Sequence, residues 1–176
     1  MSASHYRWFA AGDVNAFFGL SLDNLANLLL AVSLLERGFG FPEDFAVRYM
    51  IPGTALGVLL GDLANSWLAF RLARRTGNPT VTAMPLGLDT PSTFGMVLFV
   101  LGPAFLAAKE RLGDAELAAR HAWHIGICAL VVSGLFKLGC SFAAHRVRQA
   151  IPRAGLLGSL AAVALVLISF FPTLQI

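Results

Sequence analysis

Asp23, Asn24 and Asn27 put three hydrogen-bonding side chains within two helical turns of an otherwise apolar run. A charge at the centre of a membrane helix costs ~3 kcal/mol on insertion scales, so residues of this kind face a bundle interior or a wet cavity. Asp23 could titrate or orient a ligand there. The plainer reading, given equal weight, is that all three hydrogen-bond a neighbouring helix. Asp62 with Asn65 and Ser66 repeats the theme more weakly, because it follows the stripe Gly53, Gly57, Gly61. Glycines four apart share one helix face and admit close approach of another backbone, so this stripe reads as packing and not as chemistry.

The segment Val81 to Thr93, VTAMPLGLDTPST, sits where a membrane helix should run and cannot be one. It opens with Val81-Thr82, contains Pro85, Gly87, Asp89 and Pro91, and turns apolar only from Phe94 to Leu106. An interior proline costs a helix about 3 kcal/mol or more. Non-helical backbone at membrane depth is tolerated only where it is buried in protein or lines a cavity. Broken helices of this type build substrate sites near the midplane of many secondary transporters. The spacing predicts an extended stretch around Ala83 to Leu88 and a helix starting near Thr90. Asp89 or Thr90 can cap that helix, Pro91 suits its first turn, and Ser92 and Thr93 can meet free amides. Its N-terminus would carry roughly half a positive charge toward an electron-rich ligand group. Ala83, Met84, Leu88, Asp89, Thr90 and Ser92 are therefore the candidate substrate-binding residues, with Asp23, Asn24 and Asn27 as polar intramembrane candidates. The competing explanation is a simple proline kink relieved by neighbouring helices.

Elsewhere the chemistry is sparse. His121 and His124 lie three apart beside Trp123 at a helix end, which suits an interfacial belt; with no third ligand in sight, no metal is expected. Cys128 and Cys140 on one helix would stand ~18 Å apart, too far for a disulfide between them. No GxSxG, phosphate-binding loop or HExxH occurs, so neither an enzyme nor a cofactor is expected. Lys137 reads as snorkelling or facing the bundle.

The elements that must position these groups follow from composition. The chain has 176 residues, 57% hydrophobic and 13% charged, with a mean hydropathy of +0.71; ordinary soluble domains carry roughly 25% charge. A net charge of +3 and a pI near 9.3 do not point to nucleic acid, because the basic residues lie in short loops between apolar runs. The opening MSASHYRWFAAGD lacks the apolar core of a cleavable signal peptide, so the first span is expected to direct its own insertion. Against the ~20 residues needed to cross ~30 Å of hydrocarbon, five segments can be read: Val14 to Leu35, Met50 to Ala73, the interrupted Thr80 to Ala108, Ala122 to Ala143, and Ala154 to Phe171. Breakers separate them at Gly38 to Pro42, Gly77-Asn78-Pro79 and Ile151-Pro152. The expected fold is an all-α polytopic membrane protein of about five spans, the third broken by a short extended stretch.

Loop charges orient the set. Arg7, Arg71, Arg74, Arg75, Arg146, Arg148 and Arg153 fall in alternate segments with no acid near them except Asp13, whereas the other loops mix Arg37, Arg48, Lys109, Arg111 and Arg120 with six carboxylates. The basic set is expected on the cytoplasmic side, with the N-terminus inside, in an inner (plasma) membrane of bacterial type. That leaves four acids, Asp13, Asp23, Asp62 and Asp89, in or at the edge of apolar segments.

Three stretches carry a family resemblance: GDVNAFFGLSLDNLANL at Gly12 to Leu28, IPGTALGVLLGDL at Ile51 to Leu63, and VTAMPLGLDTPSTFGMVLFVLGP at Val81 to Pro103. Together they resemble the N-terminal part of permeases of the xanthine/uracil (nucleobase/ascorbate) transporter family. The resemblance implies fourteen spans as two inverted repeats of seven, a core domain that carries substrate past a gate domain, and extended segments in spans three and ten that meet at the substrate. It would place residues 1–143 in a partial core domain and 154–176 in the first gate helix. The family's proton-coupling and base-binding acids lie mainly in spans eight and ten, beyond the stretch matched here, so only the break from Ala83 to Ser92 carries over as a substrate-facing element. The expected function is a portion of a secondary transporter, ion-coupled and specific for a nucleobase or similar small heterocycle, completed by a missing C-terminal half or a homo-oligomer. The alternative is a membrane-embedded partner or assembly protein that keeps the fold and transports nothing. Beyond the lipid bilayer and a small-molecule substrate no other partner is implied, and no nucleic acid.

The charge pattern sets a topology test. In a background without Cys128 and Cys140, a cysteine at position 74 should react with a membrane-impermeant reagent only from the cytoplasm, and one at position 110 only from outside. Labelling of position 74 from outside would overturn the orientation.

Overall fold

The computed structural model describes residues 11–150 and 153–173. Arg7 and the Ile151-Pro152 breaker lie outside the described residues. Helices dominate, and no strand occurs among the described residues. In chain order they are α1 (Ala11–Phe39), α2 (Glu43–Phe45), a π turn (Ala46–Met50), α3 (Ile51–Thr76), α4 (Thr90–Met96), a second π turn (Val97–Leu101), α5 (Gly102–Leu112), α6 (Ala115–Ala150) and α7 (Arg153–Thr173). Three helical stretches, Gly12–Phe39, Thr90–Leu112 and Ala115–Ala144, are long and apolar enough to cross a membrane, which fits a helical membrane protein. Large apolar side chains stand exposed along them, among them Phe17, Phe18 and Leu22 on α1 and Val132, Leu135 and Phe136 on α6. Exposed apolar surface on this scale suits lipid or protein contact and not water.

The helix ends follow local chemistry. Gly40, Gly77 and Gly113 have φ near +65°, the left-handed conformation in which glycine closes a helix without a Cβ penalty. The Gly40 N–H donates to Glu36 O at 2.8 Å and the Gly113 N–H to Lys109 O at 3.0 Å, so each glycine satisfies a carbonyl of the last turn. Asp114 then caps α6, its Oδ1 accepting from the Glu116 N–H at 2.7 Å and the Leu117 N–H at 3.0 Å.

Both π turns precede a proline. The Ile51 N–H donates to Ala46 O before Pro52, and the Gly102 N–H to Val97 O before Pro103. A proline cannot donate to the carbonyl four residues back and its ring crowds that group, so the preceding turn widens to a five-residue spacing and the helix continues. Pro52 stands in the first turn of α3, although helical backbone already runs from Glu43.

Two compact units can be distinguished. The first holds residues 11–32 with Glu43–Asp89, and the second Ser33–Pro42 with residues 90–173. The second unit is built on a helical hairpin of α5 and α6, in which Leu101 lies against Gly126 on either side of the Gly113 turn. Phe105, Ala118, Ala119 and Ala122 are fully buried, Phe41 stacks on Phe105 with ring centroids 4.9 Å apart, and the Phe39 ring fills the space a Cβ on Gly102 would need. Helix α7 packs against α4. Three buried alanines and two glycines thus let large rings and leucines seat between close backbones.

Because the Phe39 ring occupies the Cβ position of Gly102, Gly102→Leu should destabilise the detergent-solubilised protein by about 1–3 kcal/mol of overpacking. Gly134, which has open space around it, is the control. Gly134→Ala in mid-helix should be neutral or stabilising by up to about 1 kcal/mol. Thermal unfolding of the two variants side by side checks both expectations.

Candidate functional site: an irregular segment held by polar side chains

Residues 81–89 form no regular element, and helix resumes at Thr90 with Pro91 in its first turn. That resumption is where the proline and glycine placement put it, but the non-helical stretch begins earlier than the placement predicts, at Gly77 directly after α3. It therefore precedes the continuous helical stretch Thr90–Leu112 and does not interrupt it. All the groups that hold it belong to the first unit.

Its backbone is held by three side chains from two long helices. Asn24 Oδ1 accepts from the Leu88 N–H at 2.7 Å, and Asn27 Nδ2 donates to the Leu88 carbonyl at 3.0 Å and to the Asp23 carbonyl at 3.1 Å. Asp62 Oδ1 accepts from the Leu86 N–H at 2.6 Å. Two asparagines therefore grip both polar groups of one residue, as a neighbouring strand would, and a carboxylate takes the amide two residues earlier.

Each donor and acceptor arises from simple helix geometry. Asn24 and Asn27 are three apart and share a face of α1, and they straddle the middle of its 29 residues. Asp62 sits near the middle of the 26-residue α3. Asn27 is 3% exposed and is the one buried polar residue among those described; burial of an amide is tolerable because its groups are bonded. Two glycines make the approach close. The Leu86 side chain occupies the space a Cβ on Gly61 would need, and a Cβ on Gly87 would stand 3.3 Å from Asn24 Oδ1. Of the glycine stripe, Gly61 thus seats the broken segment, whereas Gly57 faces open space.

The rest of the segment is open. Thr82, Ala83, Met84 and Gly87 are exposed, Met84 at 79%, and the backbone amides of these four have no partner among the described residues. Of the candidate substrate-binding residues, Ala83 and Met84 lie on this open stretch, Leu88 is the gripped residue, and exposed Asp89 ends the segment. Thr90 begins α4 and Ser92 is exposed in its first turn. Asp23 is exposed on α1, and its contribution to the grip is its backbone carbonyl. The structure joins Asn24, Asn27 and Leu88 directly and adds Asp62, which sequence reading ranked below Asp23. The signal for Asp62 was its place directly after the last glycine of the stripe. His121 and His124 are exposed, no metal-binding group of three or more His, Cys, Asp or Glu occurs among the described residues, and Cys128 and Cys140 are free and exposed.

The shared grip on Leu88 predicts coupling. Asn24→Ala leaves the Leu88 amide without its acceptor and should cost about 1–3 kcal/mol. Combining it with Asn27→Ala should depart from additivity by about 0.5 kcal/mol or more. Asp62→Asn keeps an acceptor oxygen and should be milder than Asp62→Leu. Hydrogen exchange offers a local check, with the Leu86 and Leu88 amides protected relative to those of Ala83, Met84 and Gly87; uniform exchange across the segment would contradict the arrangement.

In comparisons with known proteins, no family model matches the chain, and no curated protein or solved structure does.

Proposed function

We propose that this chain supplies one side of the substrate site of an ion-coupled secondary transporter whose cargo is a nucleobase or similar small heterocycle. In this reading the five apolar segments cross the bilayer, the N-terminus is cytoplasmic, and the open backbone of Thr82, Ala83, Met84 and Gly87 faces substrate. The observation that carries it is the anchoring of the irregular segment at the middle of α1, which is long and apolar enough to cross a membrane, and at the middle of the 26-residue α3, since a group bonded halfway along two long helices lies near the midplane if both span. Backbone amides there cost several kcal/mol each when unmet in lipid, so the open backbone calls for a wet cavity, a ligand or a protein partner. A nucleobase carries N–H donors and carbonyl acceptors along its ring edge, the complement of open backbone groups.

The same open backbone supports the view that a second polypeptide segment completes the site, either a C-terminal half or a second copy of the chain. Asp23, exposed on the helix that grips Leu88, is the carboxylate proposed to orient the cargo.

The test is uptake of radiolabelled uracil or xanthine into proteoliposomes. The chain alone should give background uptake. Co-expression with the C-terminal seven-span half of a nucleobase permease should raise uptake, and Asp23→Asn should then lower it about tenfold or more. Full uptake by the isolated chain would show that no second half is needed. Absence of both uptake and base binding in every combination would favour the non-transporting membrane partner instead.

A further inference from the structure

Helix α3 carries a stripe that neither its packing nor the proposed site uses. Leu56, Leu60, Leu63, Trp67, Arg71 and Arg74 recur at intervals of four and three, which places them on one helix face. The four apolar members are each about 60% exposed, and Arg71, Arg74 and the adjacent Arg75 are exposed as well. The Arg71 guanidinium lies over the Trp67 ring, 5.3 Å from its centroid, a cation–π contact that holds the charge at the boundary of the apolar stripe. None of the three arginines forms an ion pair among the described residues.

We propose that this face binds an anionic phospholipid, its phosphate on Arg71, Arg74 and Arg75 and an acyl chain along Leu56, Leu60, Leu63 and Trp67. The chemistry matches at both ends. Guanidinium forks bind phosphate oxygens in pairs, and the rise from Leu56 to Trp67 is ~16 Å, close to the reach of a lipid tail. Trp67 sits between the two, where an amphipathic ring belongs at the headgroup level. A soluble anion would use the arginines alone, and an apolar partner helix would leave them unmatched. A phospholipid is the occupant that satisfies charge and stripe together.

The inference rests on the proposed crossing of the bilayer by α3, which cysteine labelling of positions 44 and 78, on either side of that helix, reports independently of uptake. The measurement is thermal unfolding of the whole chain in nanodiscs of phosphatidylcholine with and without phosphatidylglycerol. The expected result is an upward shift with phosphatidylglycerol that 0.5 M salt reduces by screening. The shift should be lost in R71Q/R74Q/R75Q, weakened in Trp67→Leu, which leaves every charge in place, and retained in Arg120→Gln. Inorganic phosphate added to phosphatidylcholine nanodiscs should give no shift. An equal shift with free phosphate, or a phosphatidylglycerol shift that survives the triple substitution, would overturn the proposal.

Discussion

The arrangement depends on one constraint: a backbone that leaves the helix among apolar elements must find partners for its amides. Residues 81–89 lie outside helix, and Asn24, Asn27 and Asp62 bond the Leu86 amide and both backbone groups of Leu88. Asparagine suits the task because one side chain offers an acceptor and another a donor to the same peptide pair, so Leu88 is bonded through both its N–H and its carbonyl. Gly61 and Gly87 serve the same end by removing the Cβ atoms that would keep helix and segment apart. Without that closeness the side chains of α1 and α3 would be too short to reach the segment backbone.

Proline has two outcomes in this chain, and the difference is instructive. Pro52 and Pro103 each remove one bond from a helix whose neighbouring residues still favour helix, and a widened π turn absorbs the defect. Between Pro85 and Pro91 two such defects fall within two turns, with Gly87 between them and Asp89 and Thr90 better suited to begin a helix than to continue one. There the helix that closed at Gly77 does not resume until Thr90. Local density of breakers, and not proline itself, separates a flexed helix from a segment that stays out of helix.

The polar grip and the apolar exterior are complementary. Most of the large apolar side chains on α1, α3 and α6 face outward, while the buried polar residue, Asn27, serves the broken segment. Among the described residues the one buried polar side chain thus belongs to the proposed site. The second unit, by contrast, is held by ring and small-residue packing around Phe105.

Much of this was legible in the residues alone. The apolar runs, the glycine and proline breakers and the start of α4 at Thr90 are local properties, set by hydropathy and by the dihedral limits of glycine and proline, and each of the five runs holds a helix in the structure. Asn24 and Asn27 stood out because polar groups in an apolar run need partners. What those partners are is not local. That Asn24 and Asn27 meet Leu88, more than sixty residues away, that Asp62 and not Asp23 offers a carboxylate to the segment, and that Gly61 and not Gly57 makes the close contact are outcomes of how α1, α3 and the broken stretch pack. The helical period places Asp23 beside its neighbours in sequence, but the direction in which α1 presents that face is decided by tertiary contacts. Hydrogen bonds between residues so far apart in the chain leave no periodic trace in sequence, so only the folded structure identifies which polar side chain bonds which peptide.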